Sequence, residues 1–226
     1  MQPYFFPYIG YWQLINAADA FIIYDNIQYT KKGWINRNRF LQNGHDALFT
    51  IPLKKDSDFL NVKDRYIADT FDKQKLIAQL RAAYLKSPEY NNVMPLIENC
   101  ILYAINNLFD YIFYSVKNVC NYLDIKTKFH ISSQIDINHG LKGQDKVIEL
   151  CKKMNASVYI NPVGGRELYS KEAFKNNAIE LKFLESTEVK YAQFNHEFVP
   201  WLSIIDIMMF NSKGKISEFL NLYKIT

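Results

Sequence analysis

Asp25, Lys32, Arg37, Arg39 and His139 are the side chains of this sequence best suited to take a proton or hold an anion, and all but His139 fall within residues 2–40. Around them stand Gln2, Tyr4, Tyr11, Gln28, Trp34, Asn36 and Asn38. Forked guanidinium donors and a lysine point charge suit phosphates and carboxylates, whereas amides suit hydroxyls and aromatic rings suit a stacked base or sugar. His139 is a candidate proton carrier. The same stretch carries rigid markers: Pro3 and Pro7 each fix a backbone angle and remove an amide donor, so residues 3–7 are expected to form a stiff loop. Gly10 then allows a close backbone approach.

These side chains need elements to hold them. Residues 11–18 read as a short helix with Trp12, Ile15 and Asp19 at turn spacing, and residues 20–24 as a buried strand that ends at Asp25. A strand that should precede Gln2 is expected to be short or missing. Asn43–Gly44 predicts a hairpin over residues 41–53, with Arg37 and Arg39 on its first arm and residues 47–51 as its second strand, closed by Pro52. Residues 54–69 mix charges with few apolar anchors and read as a mobile, solvated loop.

A helical segment is expected over about residues 72–124, beginning with a helix over 72–85 that Ser87–Pro88 ends. Its later part, residues 96–108 and 111–123, is apolar on most faces, which fits either an insertion covering the core or a homo-oligomer surface. Residues 128–135, 144–154 and 156–160 then read as strand, helix and strand, a βαβ unit with its two strands parallel. Ligands belong beyond the carboxyl ends of such strands. Those ends hold His139 and the run Asn161-Pro162-Val163-Gly164-Gly165-Arg166, whose backbone amides either cradle an anion or simply make a turn. A short helix over 170–175, a strand over 179–184 and a terminal helix over 215–223 complete the pattern. Between the last two, Ser203 is placed as an N-cap with Asp206 in the first turn, both capping free amides. The expected fold is one α/β domain over residues 1–226: a parallel-sheet, Rossmann-like core, with a nucleotidylyltransferase-like variant open, plus the helical insertion and small β-hairpin.

Composition narrows the function classes. A chain of 226 residues, 49% hydrophobic and with net charge +4, can bury one large core and needs only a small anion as partner. The basic residues cluster instead of forming a stripe, so nucleic acid is not expected. Three cysteines lacking C-x-x-C spacing point to a reduced, cytoplasmic protein, and no apolar run reaches the length of a membrane span. The four histidines have no helical i, i+4 partners, so no metal is expected, and P-loop, GxGxxG and nucleophile-elbow motifs are absent.

The opening QPYFFPYIGYWQLI, the run IIYDNIQYTKKGWINRNRF, the IPL at residues 51–53, KGQDKVIELCKKMNASVYINPVGGRELY at 142–169 and LSIIDIMMFNS at 202–212 together resemble the WbqC-like protein family of bacteria. The resemblance implies a place among genes for O-antigen and other lipopolysaccharide sugars, and transfer of a glycyl or other acyl unit to the amine of a nucleotide sugar. On that implication the diphosphate meets Lys32, Arg37 and Arg39, the base stacks on Tyr4, Phe5, Tyr11 or Trp34, the hydroxyls meet Gln2, Gln28, Asn36 and Asn38, and Pro3 helps to line the site. The sugar amine must be neutral to react, and Asp25 or His139 is then the candidate general base. The opening is also similar to the first βα turn of nucleotidylyltransferases and class I aminoacyl-tRNA synthetases. Gly10–Tyr11 stands where those enzymes carry Gly-His, which counts against adenylate chemistry and leaves ATP or an acyl or aminoacyl donor as the open cofactor choice. The alternative is a non-catalytic ligand-binding or assembly subunit of the same pathway.

Overall fold

Residues 3–7 are largely buried yet lie outside any regular element, so their polar backbone must find partners elsewhere in the chain. The computed structural model describes residues 1–226 and shows how the regular elements supply them. Helix α1 (Ile9–Asn16) leads into strand β1 (Ala20–Ile23), with Asp19 exposed between them. Strand β1 pairs in parallel with β4 (Lys128–Ile131), from Ala20 opposite Lys128 to Ile23 opposite Ile131. Met1 alone lies beside β1, its amine on the Ile22 carbonyl and its carbonyl receiving the Tyr24 amide.

The hairpin forms as expected, from β2 (Arg37–Gln42) and β3 (His45–Thr50), with Asn43 and Gly44 both at positive φ as a tight two-residue turn requires. Helices α2 (Lys73–Tyr84), α3 (Tyr90–Leu102) and α4 (Leu108–Tyr122) follow; α2 is capped by Asp72 and α4 by Asn107. Their apolar faces are satisfied within the chain: Ile97, Cys100, Ile101, Val116, Val119 and Cys120 share one core with α1, β1 and the hairpin. Helix α3 starts before Pro95, which then lies inside it.

The expected parallel pairing of the strands flanking α5 (Gly143–Lys153) does not form. Strand β4 stops at Ile131 in a 3-10 turn and keeps β1 as its partner, while β5 (Val158–Pro162) pairs in parallel with β6 (Glu180–Ser186). Periodicity correctly marks both strands, but a crossover helix can equally carry the chain from one ladder to another. A further strand not expected from the sequence, β7 (Tyr223–Ile225), pairs antiparallel with β6 and takes Tyr223 from the end of the expected last helix. That helix, α8 (Lys213–Leu220), is shorter than expected, and α6 (Lys171–Lys175) packs under β6. The architecture is therefore mixed α/β with parallel pairing, its strands divided among a β1–β4 ladder, the hairpin and a β5–β6–β7 sheet.

Residues 54–69 are not a free loop. Val62, Arg65 and Ile67 are buried, and bridges at Gln28–Asn61, Leu53–Ile67 and Tyr66–Asn107 strap the segment across the hairpin and the start of α4. Asp206 also departs from its expected capping role. Ser203 does cap α7 (Ile204–Phe210), on the amide of Ile205, but the Asp206 carboxylate points away and accepts from Tyr84 Oη (2.8 Å), Tyr191 Oη (2.6 Å) and Gln193 Nε2 (2.6 Å). Burial pushes this carboxyl above the usual range, and the three donors only partly offset it.

Replacing Asp206 with Ala strands those donors, so unfolding free energy in urea is expected to fall by roughly 2–4 kcal/mol. A carboxyl whose pKa rises on folding stabilises most when protonated, below about pH 4, and this contribution is lost as pH rises through the raised value. The wild type is therefore expected to shed that part of its stability on going from acid toward neutral pH, and Asp206→Asn to lack it. Identical pH profiles for the two proteins would exclude the linkage.

Candidate functional site

Strands β1 and β4 end side by side, and the residues that follow them meet in a hydrogen-bonded cluster. The Asp25 carboxylate accepts from the Ser133 amide (2.9 Å) and Ser132 Oγ (2.9 Å) on one oxygen and from Ser133 Oγ (2.5 Å) on the other. Burial by itself pushes this carboxyl up, but the hydrogen bonds from Ser133 and Ser132 outweigh burial and hold it below its ordinary value. Asp25 is thus kept ionised and weakly basic, a group fitted to orient hydroxyls or attract an ammonium.

His139 joins the cluster through Asn26, whose side-chain nitrogen lies 3.0 Å from His139 Nδ1, while its oxygen lies 2.6 Å from Ser132 Oγ. Ser132 has one hydroxyl hydrogen and, in this arrangement, two acceptors, Asp25 and the Asn26 oxygen. Turning the Asn26 amide over resolves the count: Asn26 then donates to Ser132, Ser132 to Asp25, and His139 Nδ1–H to the Asn26 oxygen. That leaves the Nε2 lone pair of the exposed His139 free to accept a proton.

From the first turn of α5, Lys146 approaches the same place. Its ammonium stands 5.6 Å over the Tyr24 ring, burial lowers its pKa, and the Asp25 charge partly restores it. The Tyr24 phenol is raised by burial and by the neighbouring Tyr169, and the Tyr159 and Tyr169 rings lie 5.8 Å apart beside it.

A second group of the expected residues gathers on the hairpin. Trp34, 46% exposed, has Arg37 and Arg39 guanidinium carbons 5.9 and 5.5 Å over its ring. Arg37 Nε donates to the Gly33 carbonyl; Arg39 reaches Asp46 (3.2 Å) and the Trp201 carbonyl (3.2 Å), and its Nε is buried without a partner. Trp201 is itself 59% exposed, at positive φ, with its ring 5.8 Å from Tyr8. Large exposed rings around arginine form a stacking surface, here shaped from residues more than 160 positions apart (Arg39 to Trp201 spans 162).

Other expected residues lie elsewhere. Asn38 is buried and donates to the Phe5 and Phe6 carbonyls, and Asn36 is buried between Tyr29 Oη and the Ile51 carbonyl, so both amides hold the protein's own backbone and rings. Tyr11 is buried with its hydroxyl on the Gln2 carbonyl, Gln2 Oε1 accepts from Tyr4, and Pro3 is buried. Gln28 and Lys32 are exposed; Gln28 donates to the Asp58 carbonyl. Asn161 folds over the next turn so tightly that a Cβ at Gly165 would meet its Nδ2 at 2.1 Å, which accounts for that glycine by packing; a Cβ at Gly164 would meet nothing. Arg166 turns to Thr226 and Phe183, away from these amides.

The WbqC-like family profile matches residues 2–218. The chain belongs to the WbqC-like protein family. An uncharacterized protein, Rv1507c, of Mycobacterium tuberculosis is 25% identical over 225 residues, covering 97% of this chain and 95% of its own length. No solved structure matches the chain. Among the residues of this WbqC-like protein that gather at the β1–β4 end, Asn26, Ser132, Ser133 and Lys146 carry no signal of their own in the sequence, although a ligand is expected beyond the strand end that holds His139. A Ser-Ser pair closing a strand is common in turns, and only the parallel pairing with β1 brings it to Asp25.

If the hydrogen-bond chain runs as proton counting requires, nitrogen-15 spectra of the WbqC-like protein will show His139 as the Nδ1–H tautomer when neutral. Ser133→Ala, which removes one donor to Asp25, is expected to raise that carboxyl's pKa in carbon-13 titrations. An Nε2–H tautomer would return Asn26 to its other orientation.

Proposed function

We propose that this WbqC-like protein transfers an acyl or aminoacyl unit to the amine of a nucleotide-linked sugar. The observation that carries the reading is the ionised Asp25, joined through Ser132 and Asn26 to a histidine at the carboxyl end of a parallel strand pair. An amine attacks only when neutral, so the site must hold it and accept its proton. Asp25 supplies the negative field that draws the amine in, with Ser133 fixed on its second oxygen. His139 Nε2 takes the proton as the new N–C bond forms and the bond between the acyl carbon and its carrier breaks, the electron pair leaving with the carrier. Lys32, Arg37 and Arg39 favour the diphosphate, and Trp34 with Trp201 favours the base or sugar ring. The family's association with surface-polysaccharide genes supports the choice of a nucleotide sugar such as those used for O-antigen, a reaction that belongs in the cytoplasm.

The test incubates the protein with UDP- and dTDP-linked amino sugars and with acetyl and glycyl donors, free or with ATP, and follows acylated product by mass spectrometry. His139→Ala and Asp25→Asn are each expected to lower turnover by about a hundredfold or more, with sugar-nucleotide binding retained. Trp201→Ala is expected to weaken binding. Full turnover in both Asp25 and His139 variants removes the mechanism.

Ligand binding without turnover is the second reading. It draws on Asp25, both of whose oxygens already accept from within the protein. Sugar-nucleotide binding by a wild type that turns over none of the donors would favour it.

A further inference from the structure

We propose that the cleft between Tyr29 and the strap of residues 53–65 is a binding site for a diphosphate or similar phosphate-bearing group, with Arg65 as its fixed anchor. The cleft encloses about 330 Å³, and its wall includes Tyr29, Lys31, Lys54, Lys55 and Arg65 against one acid, Asp56. That volume falls within the range of small-molecule sites. Neither Arg37 nor Arg39 lines it, so the site is separate from the arginine–tryptophan face.

Arg65 is the reason to expect an anion. It is 5% exposed, yet no carboxylate forms an ion pair with it. Its Nη1 donates to the Ser57 carbonyl (2.9 Å) and its Nη2 to the Lys54 carbonyl (3.3 Å), while its guanidinium carbon stands 4.9 Å over the Tyr29 ring. Its Nε is buried without a partner. A guanidinium has five N–H donors, so two carbonyls and a ring leave the other donors unused and set no anion beside the charge. A backbone-stapling role accounts for the two carbonyl contacts and leaves the Nε and the charge unexplained. Burying a cation without a counter-charge is costly, and the open cleft beside it is where a counter-charge can enter.

The surrounding lysines fit the same ligand. Lys31 pairs with Asp58 (2.8 Å) and Lys54 with Asp69 (3.1 Å), but all four groups are exposed, and such pairs exchange readily for a phosphate. Lys55 is exposed, with no ion-pair or hydrogen-bond partner. A multiply charged phosphate could thus meet one rigid, pre-oriented fork and one free point charge. The proposal is independent of acyl transfer, because it concerns binding of the phosphate group alone.

The experiment titrates inorganic pyrophosphate, UDP, uridine and sulfate into the wild type, Lys55→Ala and Arg65→Gln, following backbone amides of residues 53–65 by NMR and affinity by calorimetry. Pyrophosphate and UDP are expected to bind and to shift the amides of Lys54 and Ser57, while uridine does neither. Lys55→Ala is expected to weaken pyrophosphate roughly tenfold, and Arg65→Gln to abolish its binding. Lys55→Ala keeps the test decisive if Arg65→Gln does not fold, since Lys55 contributes no buried contact. The proposal is overturned if millimolar pyrophosphate leaves these amides unmoved, if sulfate binds as tightly as pyrophosphate, or if Lys55→Ala binds pyrophosphate as the wild type does.

Discussion

The carbonyls of residues 5–7 lie in the core with no helix or sheet to satisfy them, and most of the fold is arranged around meeting that demand. Asn38 donates to the Phe5 and Phe6 carbonyls, Ser203 Oγ to Phe6 (2.7 Å), and the Pro7 carbonyl takes both Trp12 Nε1 (3.0 Å) and the Ile204 amide (2.9 Å). One short loop therefore fixes the hairpin, α1 and the start of α7 relative to one another. Phe6 stands at positive φ and is fully buried, a conformation that a non-glycine residue keeps only where its surroundings hold it. The two prolines make this possible by removing amides that would otherwise need partners in the same crowded place.

From that frame the candidate site follows by geometry. Strand β1 ends at Ile23 beside the end of β4, and Asp25 follows it directly, so a carboxylate and two serines 107 and 108 residues apart become neighbours. The strap of residues 61–64 runs along the same edge, its Lys63 amide on the Asp25 carbonyl and its Val62 amide on the Ile27 carbonyl. Arg65, at the end of that strap, is placed by the same backbone that positions Asp25.

Much of the local structure was legible in the residues, because its causes are local. Asn43–Gly44 specifies a tight turn, the apolar spacing of residues 73–84 specifies a helix face, and Ser203 caps the helix that follows it. What could not be read is pairing between distant segments. The run at 128–135 shows strand alternation but not its partner, and β1, more than 100 residues earlier, takes that place through the Ala20–Lys128 register. Residues 54–69 look solvated by composition, because the Arg65 charge is conspicuous and the burial of Val62 and Ile67 depends on surfaces supplied by the hairpin and α4. Asn36 and Asn38 show a second limit: an amide in a cation-rich stretch suits a ligand hydroxyl, but a buried backbone carbonyl makes the same demand on it, and both side chains bond within the protein. Asp206 looks like a local cap because sequence shows the first turn of a helix and not the two tyrosines that converge there from α2 and the 187–203 segment.

Gln13, fully buried on α1, donates to the carbonyls of Phe219 and Leu222, and the adjoining β7 completes the sheet on β6. During synthesis these acceptors emerge 206 and 209 residues after Gln13, a delay of roughly 10–40 s at ordinary translation rates. Throughout that interval the buried Gln13 amide, and the side of α1 that packs on α8, lack their native partners and are open to water or to other chains. Loop closure over such a separation also slows the final assembly. The order of synthesis thus leaves the Gln13 amide without its native acceptors until residues 219 and 222 have been made.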